Sequence, residues 1–288
     1  MPLISNTPGT DGVIVFWRTS DSHKQQVNAA LGQYALAEEA QSATLKRALT
    51  NKFGGPTVLV RPMADDGFAV INENRGDKGN TYTELFTARV DEGVITMQSY
   101  APIDQAHKDA VEQAFVTARM TCPANRVATG MVHLIEGLGG IPLRPQGAVY
   151  YLPPSQVPEF TRVAKLIELA SVNGDTAVYL MRTPTDENTA RAVIDAVVYE
   201  TTAEAEKIEH EVFEGYLGKR AMLTRETRAS GLLTRLEKYE ALFGANLAAV
   251  RDSLEKVKSA AATAALLNAA NVGTDSNNST AQITESFK

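Results

Sequence analysis

Hydrophobic and polar positions along the chain alternate between two periods. Residues 12–18, GVIVFWR, are β-branched and aromatic and predict a strand. A helix follows from about His23 to about Asn51, with Asp21 or Ser22 as its cap. Val27, Leu31, Tyr34 and Ala35 keep helical spacing, Glu38 and Ser42 interrupt the stripe, and Leu45 and Leu49 resume it before FGGP stops the helix.

Four short strand-like runs come next: TVLVRP (57–62), GFAVINE (67–73), YTELFTARV (82–90) and GVITMQSY (93–100). ADD, RGDKGN and DEG lie between them and carry the turn-forming Gly, Asp and Asn. DEG predicts a tight hairpin loop. The simplest arrangement is an antiparallel meander packed on the first helix, because each strand needs one buried face.

Two helices are expected at about 104–120 and 124–137, broken by TCPAN, whose Pro123 can open a helix but not continue one. The stretch GGIPLRPQGAVYYLPPSQVPEF (139–160) then reads as a β-hairpin. Pro145 and Gly147 form its turn, AVYYL its second strand, and Pro153 its stop. A helix at about 155–171 and a strand at 176–183 follow.

From about 186 to 270 the pattern is almost wholly helical. Ile194, Val198, Thr201, Ala205, Ile208 and Val212 form one seam; Leu232, Leu236, Tyr239, Phe243, Leu247, Val250, Leu254 and Val257 form another. A long helical hairpin or coiled coil fits, with 30 to 40 residues per arm as a rough length and Gly218 or Gly231 allowing the reversal. One bent continuous helix is the alternative. The reading is therefore α+β: a mixed domain at 1–184, the helical hairpin or coiled coil at 185–270, and a polar tail at 271–288 that is expected to be disordered.

Composition narrows the function more than it shapes the fold. Net charge is −6, so contact with nucleic acid or an anionic membrane needs a local basic patch. The single cysteine, Cys122, excludes an internal disulfide and a multi-cysteine metal site. No basic-then-apolar leader and no run of about 18 apolar residues is visible, which suggests a cytoplasmic protein without a membrane span.

Candidate chemistry is sparse. GYLGKR (215–220) is too short for a phosphate-binding loop, and GLGG (137–140) closes a helix instead of opening one. Glu206, His210 and Glu214 are spaced to share a helix face and form a weak candidate metal set, against the plainer reading of a solvated acidic face. His133 reads as a partly buried histidine and Cys122 as a small buried residue. Lys219, Arg220, Arg225 and Arg228 make a basic cluster that could contact phosphate, pair with the acidic arm of a neighbouring chain or face solvent. Two helices and a hairpin over 104–152 also have the order of a winged helix, with Arg126 on the second helix and Arg144 near the hairpin tip as its cations.

The motif LGGIPLRPQGAVYYLP (138–153), followed by a helix, a strand and a long helical region, resembles an uncharacterised family of about this length found in phages, plasmids and some archaea. That resemblance implies a mobile-element or phage setting, with the host cytoplasm as location, and brings no activity with it. The resulting expectation is a non-enzymatic structural or interaction protein without cofactor or small-molecule substrate. It would associate with itself or a protein partner through residues 185–270. The alternative is a DNA-binding protein using 104–152 and the basic region 219–228.

Overall fold

A computed structural model describes residues 11–64, 66–76, 79–99, 102–144, 149–184, 186–213, 219–244 and 250–264. The chain opens with β1 (Gly12–Arg18), β2 (Ser22–His23), α1 (Lys24–Leu31) and α2 (Gln41–Phe53). Strands β3 (Val58–Pro62), β4 (Phe68–Gly76), β5 (Gly79–Asp91) and β6 (Val94–Gln98) follow, then α3 (Gln105–Met120), β7 (Thr121–Cys122) and α4 (Ala124–Gly137). Next come β8 (Ile141–Pro142), β9 (Val149–Leu152), α5 (Val157–Leu169) and β10 (Ala177–Thr183). Helices α6 (Glu187–Phe213) and α7 (Lys219–Phe243) are followed by a further helical segment, α8, over 250–264. The protein is α+β.

Contacts divide the chain into two compact units. One comprises Trp17–Gly137 and Pro158–Tyr179; the other comprises Met1–Phe16, Leu138–Val157 and Leu180–Lys288. Ile141 and Tyr151 are buried in the same core as the C-terminal helices.

In the first unit the expected meander is present, as an antiparallel sheet in the order β3-β4-β5-β6. The β5–β6 loop is the two residues Glu92 and Gly93, both at positive φ (45° and 83°), which matches strand twist in a tight hairpin. Phe86 and Ala88 alternate inward and share a core with Phe68 and Val70, with Leu45, Ala48 and Leu49 of α2, and with Val111, Phe115 and Ala118 of α3.

The single helix expected from 23 to 51 is instead two. Gly32 takes φ 56° after α1, and Ala35 and Ala40 are extended, so the chain runs irregularly to Gln41. The break coincides with the gap in the apolar stripe at Glu38. Glu39 pairs there with Arg47 at 2.8 Å, and the same guanidinium donates to the Ala118 carbonyl at 2.9 Å, closing the end of α3. Helix α1 has no side-chain cap; Asp21 instead accepts from the Ala124 amide at 3.0 Å, at the start of α4. The turn between α3 and α4 is itself a short strand, with Ser22 paired to Cys122.

In the second unit, β9 lies between β1 and β8 in a sheet of order β10-β1-β9-β8, antiparallel to both neighbours. The hairpin expected at 139–160 is thus real, and its second strand is internal, with Tyr150, Tyr151 and Leu152 buried. The proposed Pro145–Gly147 turn lies outside the described residues.

Helices α6 and α7 pack antiparallel. Glu211, Glu204 and Glu200 of α6 meet Arg225, Arg228 and Arg235 of α7 in reverse order, which excludes one bent continuous helix. Gly231 sits inside α7 without interrupting it, and Gly218 lies outside the described residues. The arms are 27 and 25 residues, shorter than expected, because α7 ends at Phe243 and Gly244 takes φ 63°. Helix α8 adds Leu254, Val257 and Ala261 to the same core. The α6 seam begins on Val193 and Val197, one residue before the expected Ile194 and Val198. The tail at 271–288 lies outside the described residues.

Candidate functional site

The C-terminal end of α7 meets both flanks of the hairpin. Pro153 stops β9, having no amide hydrogen to continue the ladder, and Pro154–Gln156 form a single tight turn closed by Gln156 N donating to the Pro153 carbonyl at 3.0 Å. Before the hairpin, Gly139 takes φ 80°, a conformation open to glycine at little cost, and turns its carbonyl toward α7. The Tyr239 hydroxyl donates to that carbonyl at 2.8 Å.

Three aromatic rings lock this junction. Tyr239 stacks on Phe243 with centroids 6.2 Å apart, and Tyr151 of β9 lies 6.3 Å from Tyr239 and 6.1 Å from Phe243. Burial pushes the Tyr239 phenol far up, so it remains a neutral donor.

These elements enclose a cleft of about 730 Å³. Pro153, Pro154, Tyr239 and the exposed Leu242 supply its apolar surface; Gln156 and Lys238 stand in its lining as an amide and an ammonium. Such a surface holds a ligand by burying apolar groups and orients it with a few polar contacts.

The residues singled out from the sequence do not gather there. Arg225 pairs with Glu211, and Arg228 with Glu204 at 2.7 Å, so half of the basic cluster is engaged inside the hairpin of α6 and α7. Lys219 opens α7 and Arg220 is exposed beside it. Arg144 is exposed two residues after β8. Arg126, in the other unit, donates to the Ala37 carbonyl. The α4 helix that carries it buries Val127, Met131, Leu134 and Ile135.

Glu206 and His210 are exposed on α6, and Glu214 lies outside the described residues. Among the described residues no group of three His, Cys, Asp or Glu side chains could hold a metal. Cys122 is buried, and burial pushes its thiol up, away from the reactive thiolate. His133 is exposed on α4, unlike the partly buried residue expected, because it lies away from the Met131, Leu134 and Ile135 face. The sequence reading missed the cleft: Tyr239 was seen only as a seam residue and Pro153 only as a strand stop.

The architecture defines an α+β protein whose distinguishing surface is this cleft beside a helical hairpin. The chain belongs to a family of unknown function, DUF6744, whose profile matches residues 26–272. No curated protein and no solved structure matches it. Among the described residues no helix is long and apolar enough to cross a membrane.

Proposed function

We propose that this is a non-enzymatic interaction protein that docks a segment of a partner protein in the cleft at the end of α7. The cleft itself carries the reading: it is concave, mainly apolar, backed by interlocked aromatic rings, and lined by an ammonium and an amide that can orient a bound chain. In this reading the C-terminal helices remain the docking platform. The nucleic-acid reading draws less support, because Arg225 and Arg228 are already paired and Arg126 is bonded to backbone. We place the protein in the cytoplasm, and in the host cytoplasm if it is encoded by a phage; the partner would then come from the same mobile element.

Peptide display against the intact protein tests this. Enriched peptides should combine an apolar side chain with a carboxylate that meets Lys238. Leu242→Asp should weaken their binding by about 10-fold or more, as expected for losing one apolar anchor. A library that yields only binders indifferent to Leu242→Asp would remove the cleft from consideration. Anisotropy with labelled duplex DNA is the counter-test: tight binding that falls steeply with salt and disappears in Arg144→Glu or Arg220→Glu would replace this function with DNA binding.

A further inference from the structure

Two exposed helix faces, one on α5 and one on α6, have opposite charge and matching apolar centres. Helix α5 buries Phe160, Val163, Ala164 and Ile167. At 100° per residue, its opposite face carries Arg162, Lys165, Leu166 and Leu169. Leu166 and Leu169 are 41% and 77% exposed, so this stripe is both cationic and apolar.

Helix α6 presents the complement. Its buried side runs through Val193, Val197, Thr201, Ala205 and Ile208. The outer side carries Asp195, Tyr199, Glu206 and Glu209, with Tyr199 59% exposed. The ion pairs with α7 use Glu200, Glu204 and Glu211, leaving Glu206 and Glu209 on the outer face.

We propose that these faces bind each other between copies of the protein, the α5 face of one copy packing on the outer α6 face of another. The charges commit the contact to a second copy, because each face finds its opposite on the same chain. They also set a direction. Arg162 and Lys165 are three residues apart, as are Glu206 and Glu209. Antiparallel helices put Arg162 against Glu209 and Lys165 against Glu206, and bring Leu169 toward Tyr199. Parallel helices would instead put Arg162 against Glu206 and Lys165 against Glu209, and carry Leu169 away from Tyr199. A face that meets a different face is heterologous, so the contact can repeat from copy to copy or close reciprocally.

This contact is independent of the cleft, and sedimentation velocity of the intact protein over a wide concentration range tests it. The weight-average mass should rise above that of the monomer with concentration and fall back as salt is raised. R162E/K165E alone, and E206K/E209K alone, should each raise the dissociation constant about 10-fold or more. An equimolar mixture of the two reversed variants should associate again, because each supplies a face that fits the other. Leu242→Asp should leave the mass unchanged, which separates this contact from partner docking. A wild-type protein that stays monomeric, association indifferent to either reversal, or a mixture that fails to recover would each overturn the proposal.

Discussion

The Tyr239 hydroxyl donates to the Gly139 carbonyl at 2.8 Å, joining α7 to the backbone that leads into the hairpin. The two residues are 100 positions apart, and the bond fixes one wall of the cleft against the other. Tyr239→Phe keeps the ring stack and removes only this bond. Unfolding in urea should show a loss of about 1 kcal/mol, the typical net value of one such bond. Tyr239→Ala also empties the aromatic junction and should cost about 3 to 5 kcal/mol.

Gly12 is positioned against Tyr151 so closely that a Cβ built on it would lie 2.3 to 2.4 Å from the ring and hydroxyl. The ring is buried and held by Tyr239 and Phe243, leaving it little room to move. Gly12→Ala should therefore destabilise the protein by about 1 to 3 kcal/mol, the range for forced overpacking. Near-ultraviolet circular dichroism should change with it, since the displaced tyrosine belongs to the triad.

The ion pairs between α6 and α7 should differ in strength with their exposure. Arg235 and Glu200 meet at 2.9 Å with side chains 13% and 26% exposed, whereas Arg228 in the Glu204 pair is 52% exposed. Double-mutant cycles to alanine should give a coupling for Arg228–Glu204 within about 0.2 to 1 kcal/mol. The Arg235–Glu200 coupling should be larger and less sensitive to salt. Equal couplings, or a reversed order, would contradict the burial argument.

Glu73 should contribute to acid sensitivity. Its carboxylate accepts from Arg75 at 3.0 Å along β4, and from Asn80 at 3.0 Å and Tyr82 at 3.1 Å across the β4–β5 ladder. The Arg75 hydrogen bond, ahead of the Tyr82 and Asn80 bonds, holds its pKa below the ordinary 4.5. A lowered folded pKa means the stabilisation is fully present above the unfolded value and is lost as pH falls through the folded value. Glu73→Gln should lower the urea midpoint at neutral pH and flatten its decline in acid. A decline as steep as in the wild type would assign the acid sensitivity to other carboxylates.

Local chemistry by itself determined much of this fold. The run GVIVFWR became β1, four alternating segments became the meander, and the Glu92–Gly93 turn followed from its sequence. Pro123 separated α3 from α4 as expected. These features depend on residues a few positions apart, where side-chain period and backbone preference act directly. The gap in the stripe at Glu38 was equally visible, but not that it divides two helices: that depends on Arg47 closing the end of α3 across the fold.

Tertiary structure decided the rest, for a common physical reason. Hydrophobic period identifies a buried face without saying what lies against it. Gly231 looked as able to end a helix as Gly218, yet an exposed glycine inside a well-packed helix costs only about 1 kcal/mol, and packing overrides it. Contact with phosphate, pairing with an acidic helix and exposure to solvent were equally open to Arg225 and Arg228 until the reversal of the chain placed Glu211 and Glu204 opposite them. The cleft needed Tyr239 and Gly139 brought together from distant positions, and only the packing of α7 on the flanks of the hairpin does that.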